Sequence, residues 1–151
     1  MQSVTTKVKP IPVGYHSVTP YLIVEGAPKL IAFLKHTFNA EEATRMNGPD
    51  GRVAHAEVKI GDSFVMLSDA TGEYKPVESQ LYVYVDDIDL TYKRALEAGA
   101  TSVREPKNQF YGDRSASVRD PTGNIWGIAT HVEDVSPEEM QRRMKEQSPG
   151  Q

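Results

Sequence analysis

The chain contains no cysteine, which excludes disulfides, thiolate nucleophiles and cysteine-ligated zinc. Its longest apolar runs, such as Tyr21–Val24, are far too short to span a bilayer. The N-terminus lacks a hydrophobic signal core, so a cytosolic location is the expectation. There is no stripe of lysine or arginine and the formal net charge is −4, which argues against a nucleic-acid partner. No phosphate-binding loop, nucleophile elbow or zinc-protease motif is present. What remains is 151 residues, of which 38% are hydrophobic and 25% charged, enough for one globular domain with its own core.

Residues 1–14 carry Pro10, Pro12 and Gly14 without periodicity and read as an extended arm. Tyr15 to Val24 reads as a strand and Ala27 to Phe38 as a helix, with Asn39 as a left-handed cap. A further strand precedes the turn cluster Asn47–Gly51. Arg52–Ile60 and Ser63–Ser68 flank Gly61-Asp62 as a hairpin. The order then recurs: a strand over Leu81–Val85, a helix over Ile88–Ala98 capped by Gly99, a strand over Ser102–Glu105, and two more over Asp113–Arg119 and Ile125–Thr130. Ser136-Pro-Glu-Glu139 is a capping box that opens a short amphipathic helix before a frayed end at Ser148–Gln151.

The halves superpose. Tyr21–Val24 matches Tyr82–Val85 at a shift of 61 residues, and Ala54–Val58 matches Arg114–Val118 at 60. Element order, turn positions and spacing agree, which marks a duplicated unit. The expected fold is therefore α+β: two βαβββ modules, about 15–70 and 79–132, within one domain spanning 15–132, with a helix and tail at 133–151.

The motifs His55-Ala-Glu-Val-Lys-Ile-Gly-Asp-Ser63, Val65-Met-Leu-Ser68, Tyr82-Val-Tyr-Val-Asp-Asp87, Gln109-Phe-Tyr-Gly-Asp-Arg-Ser115 and Asp120-Pro-Thr-Gly-Asn-Ile-Trp126 together resemble the vicinal oxygen chelate superfamily. That superfamily contains glyoxalase I, bleomycin-resistance proteins and ring-cleaving dioxygenases, and the chain is most similar to its PhnB-like branch. The resemblance implies curved mixed sheets around a cleft, a small-molecule ligand and a homodimer. In catalytic members it also implies one divalent metal.

Strand alternation assigns the faces. Tyr21, His55, Glu57, Phe64 and Met66 fall on the mixed side of the first module. Gln80, Tyr82, Tyr84, Ser115 and Ser117 fall on that of the second. These sides are expected to line the cleft, with Tyr111 and Arg114 as a gate at a loop-strand junction. Trp126 is expected in the core, and His16 and His131 are read as structural. The positions the resemblance gives for metal ligands hold Thr19, Met66, Gln80 and Gly127, a set poorly suited to a divalent cation. The expectation is thus a protein that binds an aromatic or cationic small molecule without a metal. The alternative is a metal-dependent lyase or ring-cleaving dioxygenase.

Overall fold

A computed structural model describes residues 7–147. The first six residues of the expected arm and Ser148–Gln151 lie outside the described residues. The first module contains β1 (Tyr21–Val24), α1 (Ala27–Phe38), β2 (Glu41–Asn47), β3 (Val53–Ile60) and β4 (Ser63–Asp69). The second contains β5 (Gln80–Tyr84), α2 (Ile88–Glu97), β6 (Thr101–Asn108), β7 (Asp113–Arg119) and β8 (Ile125–His131), and α3 (Pro137–Gln147) follows. Two four-stranded sheets result, in the orders β1-β4-β3-β2 and β5-β8-β7-β6. The first and last strand of each module pair in parallel and the other pairs are antiparallel. This is the α+β arrangement of two βαβββ modules read from the repeat.

Two elements differ from the sequence pattern. β1 starts at Tyr21 rather than Tyr15, because Pro20 cannot donate to a ladder; its carbonyl still accepts from Met66 N–H at 2.9 Å. β6 runs to Asn108 through Pro106, which an edge strand tolerates, and two register shifts mark its path along β7.

Each module closes its helix onto its sheet at the same point, with different chemistry. At the end of β4, one Asp69 oxygen accepts from Gly26 and Ala27 N–H at 3.0 and 2.7 Å, and the other accepts from Val53 N–H at 2.8 Å. At the matching end of β8, the Thr130 hydroxyl accepts from Ile88 N–H at 3.0 Å and donates to the Val85 carbonyl at 2.8 Å. Burial opposes the Asp69 charge, yet the N–H groups of Ala27, Val53 and Gly26 hold its carboxyl below the usual range. α1 ends at Asn39, whose φ of 55° is left-handed, and Ala40 N–H reaches back to the Leu34 carbonyl.

The modules meet through their helices. α1 packs on α2, and His36 approaches Glu97 at 3.8 Å. Trp126 is fully buried, with ring centroids 6.4 Å from Phe33 and 5.5 Å from Phe38 of the other module. Its indole Nε1–H donates to Asp120 at 2.6 Å, and Asp120 also holds the turn through Thr122 and Asn124. One core runs across both modules. Among the described residues no helix is long and apolar enough to cross a membrane.

Trp126→Ala removes the largest buried side chain at this seam and leaves the Asp120 carboxylate without its indole donor. It should cost about 3–5 kcal/mol in urea unfolding, the range for truncating a buried aromatic. Loss of less than about 1 kcal/mol would show that the seam does not carry stability across the modules.

Candidate functional site

β3 and β4 register Glu57 against Met66, and β1 registers Tyr21 against Met66, so these side chains share one face of the first sheet. Met46 joins them from β2 opposite His55. A hydrogen-bonded chain crosses this face. Tyr15 donates to Glu57; the other Glu57 oxygen lies 2.8 Å from His55 Nε2; His55 Nδ1 lies 3.1 Å from the Tyr21 hydroxyl. Tyr15 reaches its place because residues 12–15 turn back on themselves and stack its ring on Phe64, 4.2 Å between centroids and 9° from parallel. Burial, reinforced by the Glu57 carboxylate, pushes the Tyr15 phenol up to about 12. The Tyr15 and His55 donors hold Glu57 below the usual carboxylate range.

The second face is built from the equivalent strands. Tyr82 and Tyr84 lie opposite Gly127 and Ala129, while Ser115 and Ser117 lie opposite Ala129 and Gly127. Gln80 sits at the start of β5 beside Ile125. Its centre is Asp113, which is buried and accepts from the Tyr82 and Tyr84 hydroxyls at 2.8 and 2.9 Å. His131 Nδ1 donates to the other Asp113 oxygen at 2.8 Å, and Nε2 to Asp134 at 2.7 Å. With a carboxylate on each nitrogen, the imidazole is held above its ordinary value, Asp113 contributing more than Asp134. Burial raises the Tyr82 phenol, helped by Asp113 and Tyr111; Asp113 and then burial raise that of Tyr84. Arg104 and Lys107 of β6 lie in register with Ser117 and Ser115, and neither makes an ion pair with a described residue.

One expected site residue stands elsewhere. Arg114 lies in register with Thr130, on the side away from Ser115, and its guanidinium is engaged by both Asp89 oxygens at 2.9 Å and by Asn108. It therefore clamps β7 to α2. Tyr111 stays near the second face, edge-on to Phe110. Tyr15, Asp113 and His131 join these hydrogen-bonded clusters although the sequence reading assigned them to neither face. Tyr15 headed the expected first strand but lies ahead of the observed β1, and Asp113 and His131 sit at strand ends, where alternation carries least weight.

The hydrogen-bonded clusters of the two faces are not joined to each other within one chain. Among the described residues no hydrogen bond, ion pair or ring contact joins Tyr15, Tyr21, His55 or Glu57 to Tyr82, Tyr84, Ser115 or Ser117. Tyr21 and Tyr82 are each 47% exposed and Tyr84 is 61% exposed. A cavity of about 900 Å³ does open between the modules along β5. Phe64, Tyr82, Tyr84 and Thr19 line it, but His55, Glu57, Met66, Gln80, Ser115 and Ser117 do not. The groove thus gathers Phe64 of the first face with Tyr82 and Tyr84 of the second, while the rest of each mixed face lies outside it.

The metal positions implied by the resemblance do not assemble a suitable donor set. Thr19 precedes β1 and turns to the groove, Met66 offers a thioether and Gln80 an amide. At Gly127, an added Cβ would lie 2.6 Å from the Tyr82 ring, so that ring fills the space a ligand side chain would need.

The chain matches the model of the Glyoxalase/Bleomycin resistance protein/Dioxygenase superfamily over residues 14–128. The protein belongs to that superfamily. An uncharacterised protein of Mycobacterium tuberculosis is 34% identical over 145 residues, covering 89% of this chain and 85% of that protein. A Mycobacterium bovis counterpart is also 34% identical, with 95% of it covered. Among solved structures, TioX from Micromonospora superposes with a TM-score of 0.66 at 24% identity, over 78% of this chain and 99% of TioX. TnmS3, an antibiotic-binding protein from Streptomyces, superposes with a TM-score of 0.61 at 27% identity, over 77% and 95%. A PhnB protein from Bacillus cereus shares the fold at 15% identity, with a TM-score of 0.62 over 76% and 99%.

The His131 clamp has a pH signature. Because folding raises the His131 pKa, its stabilising contribution is complete below the unfolded value near 6.5 and is lost as pH rises through the folded value. Urea midpoints should therefore decline above about pH 6.5 in the native protein. The decline should flatten in His131→Gln. An identical slope in both would show that the clamp does not set it.

Proposed function

We propose that the protein is a cytosolic homodimer that binds a small, planar aromatic molecule without a metal, each site formed by the first-module face of one copy and the second-module face of the other. The observation that carries this reading is the pair of outward, tyrosine-rich half-sites on one chain. A fold that buries its helix sides against each other leaves these faces unpartnered, and a two-fold pairing covers both at once. Stacking surfaces at Phe64, Tyr21, Tyr82 and Tyr84 favour a flat ligand. The unpaired Arg104 and Lys107 favour a ligand with an anionic or hydroxylated edge over a cationic one. Family membership and the antibiotic binding of TnmS3 support small-molecule binding as the general role. The donor set at the metal positions supports the absence of metal chemistry.

Sedimentation of the purified protein at micromolar concentration should give a dimer. A panel of planar aromatic compounds should contain one that stabilises the protein in chelator, by about 2.7 kcal/mol at one hundred times its Kd. A monomer throughout would remove the composite site. Turnover of a glyoxalase substrate that depends on added nickel or zinc would overturn the metal-free reading.

A further inference from the structure

The two half-sites each place an imidazole beside a carboxylate, but the imidazoles differ in what they have left to give. His131 has a carboxylate on both nitrogens. Both therefore donate, and the ring has no lone pair to accept a proton. His55 has a carboxylate on one side only. Glu57 accepts from Tyr15 and is held ionised, so it accepts from His55 as well, and Nε2 must carry the hydrogen. In the neutral ring that leaves Nδ1 as the acceptor, and the Tyr21 hydroxyl, 3.1 Å away, is then its donor. The lone pairs of the Tyr21 oxygen are then free at the open face, where Tyr21 is 47% exposed.

We propose that Tyr21, His55 and Glu57 form a metal-free proton relay that takes the proton of an acidic ligand hydroxyl, such as a phenol or enol, and holds the ligand as its anion. The step balances within the site. The ligand O–H passes its proton to the Tyr21 oxygen as Tyr21 passes its own to His55 Nδ1. Tyr21 ends neutral, His55 ends as an imidazolium against the Glu57 carboxylate, and the ligand ends as an oxyanion. No oxidant or metal is consumed. The groups facing His55 are Glu57 on its own strand, Tyr21 from β1, Met46 from β2 and, through Glu57, Tyr15 from the preceding segment. Lys59 follows Glu57 on the same side of β3, with its ammonium 5.9 Å from the Phe64 ring centre. None of these donates a competing hydrogen to Nδ1. The relay rests on the binding function proposed above, where Arg104 and Lys107 of the opposed face would pair with the anion.

Two measurements on the dimer test it. Imidazole nitrogen NMR, with His55→Gln to assign the signal, should show His55 neutral with hydrogen on Nε2; hydrogen on Nδ1 would overturn the relay. Spectrophotometric pH titration of bound 4-nitrophenol should show its ionisation constant raised about tenfold or more over free probe, a full pKa unit. The gain should vanish in His55→Gln and shrink in Tyr21→Phe. Bound probe that ionises as it does in water, a gain that persists in His55→Gln, or no binding of 4-nitrophenol would each overturn the relay. The binding function fails separately, if no compound of the aromatic panel stabilises the protein.

Discussion

The contact on which the molecule depends is the seam where Trp126 packs against Phe33 and Phe38. A βαβββ module has a helix on one side of its sheet and nothing on the other. Here the chain spends its helix sides on each other, with α1 against α2 and one aromatic cluster between them. That choice fixes the rest of the geometry. It buries the indole, ties it to the Asp120 turn, and aims both mixed sheet faces outward. Tyr21, Tyr82 and Tyr84 are exposed for this reason rather than through poor packing.

The duplication also shows how two copies of one unit diverge. Asp69 and Thr130 stand at matching positions and do the same work, one by accepting from three N–H groups and the other by bridging a donor and an acceptor. On the exposed faces, Glu57 gathers one tyrosine hydroxyl and a histidine, and Asp113 two tyrosine hydroxyls and a histidine, from non-matching positions. The faces therefore hold similar groups in different states. One histidine lies between two carboxylates that favour its charged form, and the other has a carboxylate on one nitrogen and a tyrosine hydroxyl on the other. On the proposed reading, a ligand between two such faces meets a proton acceptor on one side and the cations Arg104 and Lys107 on the other, an asymmetry that two identical modules would lack.

Much of this was legible in the sequence. The repeat specified element order, hairpin turns and faces, because alternation and turn chemistry are local properties. Phe64, Met66, Tyr82 and Ser117 fell on the faces that alternation assigned them. Three features were not legible. Tyr15 enters the site through a backbone reversal at Pro12–Tyr15 that no period reports. Arg114 leaves it because Asp89, twenty-five residues away, offers a bidentate partner on the helix side. How two modules dock also leaves little trace in one copy's pattern, since either the helix sides or the sheet faces satisfy the same alternation.

The central claim is that each site draws its halves from two chains. Mixing two variants blocked on different faces, Met66→Trp on the first module and Ser117→Trp on the second, tests it most directly. Each alone should bind no ligand. If the halves come from different chains, refolding the two together restores binding to about a quarter of the sites, since half the dimers are mixed and each mixed dimer has one intact site. If both faces serve one chain, the mixture binds no more than either variant alone, and the account is wrong.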